Sequence, residues 1–293
     1  MNNEFLKEKI QNTYPSAYDK IISNLITKKN TFRVNTLKAR KEEILKYLEE
    51  HKINFAELKE VPNSFTIEDL SSLRNSPLYE EGKIYFQNIS SQLPPYVVNP
   101  QANEMILDMA AAPGGKTTEM ASLAHNTCLI TALEKNKIRY DRLCYNINLQ
   151  GAKKVTTLNL DARQLDEMFQ FDKILLDAPC SGSGTLTEKN ISAYNEELLL
   201  RCIKTQSALL KKAMQLIKVN GEIIYSTCSI FKEENEEILK KCLNDNFTIV
   251  PLNLDETILK NIPTLPSTIP NVLTICPTEL YEGFFIAKIK RTK

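Results

Sequence analysis

Residues 104–117 read EMILDMAAAPGGKT, and this stretch decides the fold class of the chain. A short apolar run ends at Asp108 and is followed at once by small residues, two glycines and the start of a helical pattern. That order predicts a buried strand, a tight loop and a helix, which together form the first unit of a parallel α/β sheet. Gly114 and Gly115 let the backbone approach a ligand closely, and the free amides of the helix N-terminus favour an anionic group.

The glycine spacing separates this loop from two common nucleotide-binding loops. It fits neither the GxGxxG dinucleotide fingerprint nor the GxxxxGK[ST] phosphate loop. Gly115-Lys116-Thr117 resembles the end of a phosphate loop, but Ala110 stands where that loop needs its first glycine. The pattern therefore disfavours a nucleoside triphosphatase.

Strand and helix patterns alternate from residue 104 onward, which is typical of a doubly wound sheet. The predicted strands are Glu104–Met109, Cys128–Leu133, Val155–Leu160, Lys173–Leu176, Glu222–Ser226, Phe247–Val250 and Phe284–Lys288. The first five are short apolar runs, so we expect them to be buried on both faces. A long helix over residues 195–218 is predicted to end before Gly221, and the proline-rich stretch 257–281 is predicted to be irregular.

The first part of the chain has a different pattern. Residues 1–30 read as helical, 31–35 as a strand, 38–52 as an amphipathic helix and 56–68 as two short strands. We therefore predict a small N-terminal α+β domain over residues 1–90, which would bind RNA, and a sheet domain over residues 91–293. Because the chain ends shortly after the last predicted strand, we expect no further domain there, which would leave RNA capture to the N-terminal unit and the sheet rim.

Composition excludes several classes of protein. The chain has 293 residues, of which 42% are hydrophobic and 25% charged, as in a soluble globular protein. No apolar run approaches the roughly 18 residues that span a bilayer, and the charged N-terminus does not suit a signal peptide. We therefore expect a cytoplasmic location, and we separately expect a monomer. The net charge of +1 gives no general attraction to nucleic acid, and seven widely spaced cysteines with two histidines predict no metal site.

Three acidic residues follow successive predicted strands: Glu134, Asp161 and Asp177. Because the carboxyl ends of parallel strands meet at one edge of a sheet, we expect the three side chains around one pocket. Glu134 is placed to accept hydrogen bonds from ribose hydroxyls, and Asp161 to meet an adenine amino group. The alternative is that each residue only caps the next helix, and it is less favoured for three residues at the same edge.

Two cysteines follow the fourth and fifth predicted strands, in DAPCSGSG (177–184) and STCS (226–229). Pro179 and the flanking glycines predict backbone that leaves the sheet and brings a thiol beside a ligand. Carbon 5 of a pyrimidine is a poor nucleophile, but addition of a thiolate at carbon 6 lets it attack an electrophilic methyl group. Asp177 suits stabilisation of the developing charge at nitrogen 3. Afterwards carbon 5 must lose its proton and the thiol must be expelled, which needs a base or a second thiol.

Three motifs carry a family resemblance: DMAAAPGGKTTEMA, DKILLDAPCSGSGTL and YSTCS. They are similar to the Sun-type RNA (cytosine-5)-methyltransferases, the group that includes Fmu and the nucleolar Nop-type enzymes. The resemblance extends over about residues 31–290, through RVNTLK, QNISSQLPP and GFFIAKIKR. DAPCSGSG followed by TCS about 50 residues later is a highly specific combination.

The resemblance implies a Rossmann-like seven-stranded sheet with an antiparallel last strand, S-adenosylmethionine as the cofactor, and RNA (tRNA or rRNA) as the partner. Cys228 would be the attacking nucleophile, and Cys180 would assist breakdown of the covalent adduct. The cofactor site would be lined by Ala110, Ala111, Ala112, Pro113, Gly114, Gly115, Lys116, Glu134, Arg139, Asp161 and Asp177. Lys116 would also reach the target base. The family more often has Cys at the position of Ala110 and Asp at that of Glu134, and both replacements keep the size or charge that the site needs.

The residues leave several alternatives open. DNA cytosine-5 methyltransferases use the cysteine after the proline, here Cys180, as the nucleophile, whereas the TCS motif favours Cys228. An inactive RNA-binding scaffold on the same fold predicts damaged motifs, yet the glycine loop and both cysteines are present. A small-molecule or protein methyltransferase leaves the cysteine pair unexplained, and a DNA substrate is only weakly disfavoured. The candidate RNA-binding clusters are Arg33, Lys38, Arg40 and Lys41, and Lys135, Lys137, Arg139 and Arg142.

Overall fold

The computed structural model describes residues 3–25, 28–187 and 190–293. The chain divides into two compact units. Residues Lys29–Leu165 and Leu254–Asn261 form the first, which we call the glycine-loop unit. Residues Met1–Lys28, Asp166–Asn253 and Ile262–Lys293 form the second, which we call the thiol unit. The domain division predicted near residue 90 stays a prediction.

The helices and strands alternate along most of the chain. In chain order the helices are α1 (Glu4–Thr13), α2 (Tyr18–Asn24), α3 (Lys41–Glu50), α4 (Leu70–Arg74), α5 (Pro77–Glu80), α6 (Ile89–Val98), α7 (Gly115–Leu123), α8 (Lys137–Gln150), α9 (Glu196–Leu216), α10 (Glu236–Cys242) and α11 (Glu256–Asn261). The strands are β1 (Asn30–Val34), β2 (Phe55–Leu58), β3 (Ser64–Ile67), β4 (Ile84–Phe86), β5 (Met105–Asp108), β6 (Leu129–Leu133), β7 (Val155–Leu158), β8 (Phe171–Asp177), β9 (Ile217–Thr227), β10 (Phe247–Val250), β11 (Val272–Ile275) and β12 (Phe284–Arg291).

A small antiparallel sheet with the strand order β2-β3-β1-β4 lies in the glycine-loop unit. Its core contains the stacked rings of Phe32 and Phe65, whose centroids are 5.3 Å apart. Ile44 and Leu48 lie one turn apart on α3 and are buried in the same core, as the amphipathic pattern of this helix predicts. The predicted order of strand, helix and two strands is confirmed, and β4 extends the sheet by one strand.

The larger sheet is mixed and has eight strands among the described residues. Within the glycine-loop unit, β5, β6 and β7 are parallel neighbours in that order. Within the thiol unit the order is β10-β12-β9-β8, and β11 pairs with β12. There β8 and β9 are parallel, while β12 is antiparallel to β9, β10 and β11. The α/β class, the seven predicted strands and the antiparallel last strand are confirmed.

Three details differ from the sequence prediction. The stretch 257–281 is not wholly irregular, because it contains β11, whose apolar residues pair along β12, and most of α11. Strand β7 is not buried on both faces, since its residues alternate in exposure as expected of an edge strand. Helix α9 passes directly into β9, so Gly221 lies inside that strand and does not cap the helix. An added Cβ at Gly221 would lie 2.8 Å from the carbonyl oxygen of Asp172.

The N-terminal segment, whose residues 1–30 read as helical, forms two helices. A 3-10 turn, Pro15–Ala17, separates α1 from α2, because proline lacks the N–H group that would continue the helical hydrogen bonds. Residues 1, 2, 26 and 27 of this prediction lie outside the described residues. Leu6 and Ile10 of α1 are fully buried in a core of the thiol unit that also contains Phe231.

Candidate active site

Cys180 and Cys228 meet at the carboxyl ends of β8 and β9. These strands are parallel and pair Asp177 with Ser226, so the segments that follow them emerge at the same edge of the sheet. The two Sγ atoms lie 3.0 Å apart. Both thiols are free and half-buried. The two cysteine motifs therefore form a single dithiol site.

Backbone hydrogen bonds join the loop that carries Cys180 to the segment that carries Cys228. The amide of Ala178 donates to the carbonyl oxygen of Ser226 at 2.8 Å, before the first cysteine. The amide of Gly184 donates to the carbonyl oxygen of Cys228 at 2.9 Å, after it. Since main-chain atoms make both bonds, the backbone of the two loops determines where the two sulfurs lie.

Gly184 is also in close contact with the segment before β12. The amide of Gly283 donates to the carbonyl oxygen of Gly184 at 3.0 Å. A Cβ added to Gly184 would lie 1.9 Å from the carbonyl oxygen of Gly283, a distance that no side chain can adopt without backbone movement. Glycine is therefore required at position 184 by contact rather than by backbone conformation.

The electrostatic surroundings keep a proton on Cys180. Its hydrogen bond with Cys228, its burial, and the negative charges of Cys228 and Glu234 raise the pKa of the Cys180 thiol well above its usual value. A protonated Cys180 can donate its S–H to the sulfur of Cys228. The hydroxyl of Thr185 lies 3.8 Å from the same sulfur, so two donors face Cys228.

Asp177 ends β8 beside this dithiol site. Its carboxylate accepts a hydrogen bond from the hydroxyl of Ser226 at 2.8 Å, which fixes the orientation of the group. Ser226 is fully buried, whereas Asp177 is half-buried. The position of a carboxylate at this strand end agrees with the sequence pattern, but its predicted role toward a base stays a prediction.

The glycine loop connects β5 to α7 in the other unit. Asp108 is buried and accepts a hydrogen bond from the hydroxyl of Thr117 at 2.7 Å, which ties the start of the loop to the first turn of α7. Gly114 has φ +106°, a left-handed conformation that favours glycine. Lys116 donates from Nζ to the hydroxyl of Ser91 at 2.7 Å.

Arg33 of β1 is hydrogen-bonded to the start of α7, next to this loop, and is only 3% exposed. Its Nη2 atom donates to the carbonyl oxygen of Gly115 and to the hydroxyl of Thr118, both at 2.9 Å. The guanidinium also lies over the ring of Tyr85, 5.1 Å from its centroid. The expectation that Arg33 belongs to an RNA-binding cluster is therefore wrong, because a buried and paired cation cannot reach a phosphate.

Glu134 follows β6 and is almost completely buried. Its Oε1 atom accepts from the amide of Asn136 at 2.8 Å, and its Oε2 atom lies 3.5 Å from Nη1 of Arg139. Nη2 of Arg139 donates to the carbonyl oxygen of Ala112 at 2.7 Å. Arg139 thus links the carboxylate of Glu134 to the small-residue loop, which brings three predicted cofactor residues together.

Asp161 follows β7 and caps the short turn Ala162–Gln164. Its Oδ1 atom accepts from the amide of Arg163 at 3.0 Å and from Nε of the same residue at 2.9 Å. The hydrogen bonds with Arg163 lower the pKa of Asp161 to about 2. These contacts fit the capping role, and the assignment of Asp161 to an adenine amino group stays a prediction.

Two buried side chains beside the dithiol site were not indicated by the sequence. Glu234 and Gln206 hydrogen-bond to the backbone on either side of Cys180. Glu234 belongs to KEENEE (232–237), a charged run that is typical of a solvated helix start. Nothing in that local pattern signals that this one carboxylate is buried.

Two findings on the whole described chain bear on other classes of site. Among the described residues, no helix combines the length and the apolar character needed to cross a bilayer. No group of three or more His, Cys, Asp or Glu side chains in residues 3–25, 28–187 and 190–293 could hold a metal ion. The predicted absence of a metal stays a prediction.

Comparison with known families identifies the chain. A family model described as 16S rRNA methyltransferase RsmB/F matches residues 95–290. The chain belongs to the RsmB/F methyltransferase family. A second model, described as the ferredoxin-like domain of RsmF/B-like methyltransferases, matches residues 3–73. The resemblance to the Sun- and Fmu-type group is therefore confirmed.

Individual RsmB/F relatives cover almost the whole chain. The human 28S rRNA (cytosine(4447)-C(5))-methyltransferase is 33% identical over 305 residues, which is 98% of this chain and 38% of that protein. Ribosomal RNA small subunit methyltransferase F of Vibrio cholerae is 34% identical over 278 residues, which is 90% of this chain and 58% of that protein. The chain therefore spans about half the length of the curated relatives it matches.

A solved structure confirms the fold of the family. The crystal structure of a methyltransferase homolog protein from Pyrococcus horikoshii matches with a TM-score of 0.82 and 30% identity. The match covers 97% of this chain and 93% of that one. The Rossmann-like methyltransferase fold predicted from the resemblance is therefore confirmed.

Proposed function

We propose that this RsmB/F chain transfers a methyl group from S-adenosylmethionine to carbon 5 of a cytosine in RNA. The observation that carries the proposal is the pair of sulfurs of Cys180 and Cys228, 3.0 Å apart at the ends of two parallel strands. Two thiols beside the Asp177 carboxylate suit covalent activation of a pyrimidine ring. The human and mouse relatives are named as 28S rRNA cytosine-C5 methyltransferases, which supports ribosomal RNA as the substrate class.

The glycine-loop unit would hold S-adenosylmethionine, and its residues fit that ligand. Small residues at 110–112 and Gly114 leave room for close approach of the backbone. The carboxylate of Glu134, fixed by Asn136 and Arg139, offers acceptors for ribose hydroxyls. When bound, this cofactor supplies a methyl group on a positively charged sulfur. We also assign Lys116 and Asp161 to this site, as the resemblance implies.

Cys228 is the proposed nucleophile. Its sulfur adds to carbon 6 of the cytosine, and the added electron density makes carbon 5 reactive toward the methyl group. Asp177, which is oriented by Ser226, would donate a proton to nitrogen 3 and so stabilise the charge that develops on the ring. The target cytosine must be turned out of its stack in the RNA to reach a thiol in this position.

Cys180 is the proposed release residue. After methylation, a base takes the proton from carbon 5 and the bond between carbon 6 and the sulfur of Cys228 breaks. Cys180 keeps its proton because its pKa is raised, and its S–H can donate to the departing sulfur at 3.0 Å. This hydrogen bond stabilises the thiolate that leaves. A cytoplasmic location, which is expected from the composition of the chain, and a monomeric state are further parts of the proposal.

The proposal is tested by methylation of RNA with labelled S-adenosylmethionine. Wild type, Cys228→Ala and the control Cys144→Ala would be incubated with total RNA, and 5-methylcytosine would be measured in the RNA. Cys144 is a suitable control because it is also half-buried, but it lies on α8. We expect 5-methylcytosine from wild type and from Cys144→Ala, and none from Cys228→Ala. Activity of Cys228→Ala would refute the nucleophile, and no 5-methylcytosine from any protein would favour the inactive scaffold.

A further inference from the structure

Glu234 is a buried carboxylate next to the dithiol site. It lies in the turn Lys232–Glu234, six residues after Cys228, and is 0% exposed. Its neighbour Glu233 belongs to the same turn but pairs with Lys9 at 2.5 Å and is partly exposed. Burial of a carboxylate is costly unless hydrogen bonds compensate for the lost water. Burial of Glu234 therefore requires compensating contacts that Glu233, which stays near the surface, does not require.

The hydrogen bonds of Glu234 provide these contacts. Its Oε1 atom accepts from the amide of Ser181 at 2.7 Å and from Nε2 of Gln206 at 3.0 Å. Its Oε2 atom accepts from the hydroxyl of Ser181 at 2.5 Å. All three donors are neutral, so the negative charge of Glu234 is solvated by the protein without a cation in these contacts.

The same two side chains hold the backbone on both sides of Cys180. Glu234 binds the amide of Ser181, immediately after the cysteine. Gln206, whose Nε2 atom binds Glu234, also donates to the carbonyl oxygen of Pro179 at 3.0 Å, immediately before it. The turn that follows Cys228 therefore fixes both peptide groups that flank Cys180.

We propose that Glu234 is a positioning residue, which holds Cys180 against the sulfur of Cys228 so that Cys180 can release the methylated base. The role in product release rests on the proposed function, whereas the contacts between Glu234 and the loop of Cys180 do not depend on it. The turn itself is anchored, because the fully buried hydroxyl of Tyr225 donates to the carbonyl oxygen of Glu234 at 2.6 Å. A rigid turn can set the position of the loop it binds.

The charge of Glu234 acts in the same direction as its hydrogen bonds. It raises the pKa of the Cys180 thiol, after the contributions of Cys228 and of burial, and so keeps the proton on the sulfur that must donate. The other titratable groups near this site are the Asp177 carboxyl, the Cys202 thiol and the phenols of Tyr194 and Tyr225. Burial raises the pKa of both phenols, which therefore stay neutral, and the charges that raise the pKa of Cys180 are those of Cys228 and Glu234.

The catalytic test compares Glu234→Ala and Glu234→Gln with the matched control Glu233→Ala. Rapid-quench measurements of methyl transfer to RNA would separate the first turnover from steady-state turnover. Denaturing gels would measure the covalent adduct. We expect Glu234→Ala to keep the first turnover and to accumulate adduct. Its steady-state turnover is expected to fall about 10- to 100-fold, as for a misplaced catalytic group. Glu233→Ala is expected to behave as wild type.

Glu234→Gln is expected to restore release. The glutamine oxygen can accept from the amides of Ser181 and Gln206, and its NH₂ group can donate to the hydroxyl of Ser181. The proposal is overturned if Glu234→Ala releases product at the wild-type rate. It is also overturned if both Glu234 variants lose the first turnover in parallel with release, because that result indicates a general structural role.

A second measurement does not depend on methylation. The rate of alkylation of Cys180 by iodoacetamide would be followed against pH by mass spectrometry in wild type, Glu234→Gln and Glu233→Gln. We expect the midpoint for Cys180 to fall in Glu234→Gln, because a nearby negative charge is removed, and to stay unchanged in Glu233→Gln. An unchanged midpoint in Glu234→Gln contradicts the claim that the charge of Glu234 acts on Cys180. If wild type makes no 5-methylcytosine, the proposed function fails, whereas this measurement still decides whether Glu234 acts on Cys180 through its charge.

Discussion

Replacement of Gly184 by alanine is expected to separate Cys180 from Cys228. A Cβ at this position would lie 1.9 Å from the carbonyl oxygen and 2.4 Å from the carbonyl carbon of Gly283. Real Cβ atoms essentially never come closer than 3.0 Å to such an atom. The loop must therefore move by about 1.1 Å or more, since the atoms it meets are backbone and cannot rotate away.

The size of the effect follows from this displacement. Gly184 binds the carbonyl oxygen of Cys228 through its amide, so the forced movement acts directly on the link between the two loops. A displacement of about 1 Å between reacting groups costs roughly 100-fold in rate. Overpacking of this kind also lowers the free energy of unfolding by about 1–3 kcal/mol.

Two assays measure the displacement in Gly184→Ala. Diamide would oxidise Cys180 and Cys228 to a disulfide, and loss of two of the seven thiols would be followed over time. The covalent adduct with RNA would be measured in parallel. Gly151→Ala is the control, because Gly151 has a left-handed conformation (φ +73°), which Gly184 does not have, and an added Cβ would meet only the side chain of Lys38. That strain costs about 1–2 kcal/mol and leaves the thiols where they are.

The reasoning predicts slower disulfide formation and much weaker adduct formation in Gly184→Ala than in Gly151→Ala. Circular dichroism would establish that both variants are folded at the assay temperature. A folded Gly184→Ala that oxidises and forms adduct at the wild-type rate would refute the argument, because the close contact with Gly283 would then not control the distance between the sulfurs.

Two further predictions concern the glycine-loop unit. Burial raises the pKa of Glu119 from 4.5 to about 8, so this carboxyl stabilises the fold below pH 4.5 and that stabilisation is lost as the pH rises through about 8. The free energy of unfolding, measured by urea titration, is therefore expected to fall less between pH 5 and 8.5 in Glu119→Gln than in wild type. An unchanged pH dependence would contradict the raised pKa of Glu119. Glu134→Ala is expected to weaken binding of S-adenosylhomocysteine about 10- to 100-fold in calorimetry, the value of one or two charged hydrogen bonds. Lys137→Ala, which loses a surface pair with Asp141 and a contact with the ring of Tyr140, is expected to bind as wild type. Equal affinities of the two variants would show that Glu134 does not contribute to the cofactor site.

The strands of the large sheet were predictable because their signal is local. Apolar runs bounded by polar residues marked each of the seven strands, and the errors are a few residues at the ends. The strand β11 was not indicated because VLTI lies between Pro270 and Pro277, and its stability depends on pairing with β12 further along the chain. A short run of this kind has no periodicity from which pairing can be predicted.

The dithiol site was partly predictable for a similar reason. Parallel strand ends meet at one edge, so motifs after β8 and β9 had to approach each other. The supporting contacts were not predictable, because they join residues that are distant in sequence. Glu234 binds Ser181 across 53 positions, and Arg33 binds Gly115 across 82. Charged residues are mostly exposed, so a sequence alone favours the surface for both of them.

The identity of the sulfur that bonds to the RNA tests the central claim most directly. RNA containing 5-fluorocytosine would trap the adduct, because carbon 5 then has no proton to lose, and the digested protein would be analysed by mass spectrometry. The account predicts that the nucleotide is attached to the peptide containing Cys228, and that Cys180→Ala traps unmodified RNA through the same peptide. Attachment to Cys180 would contradict the account and would assign the nucleophile as in the DNA cytosine-5 methyltransferases.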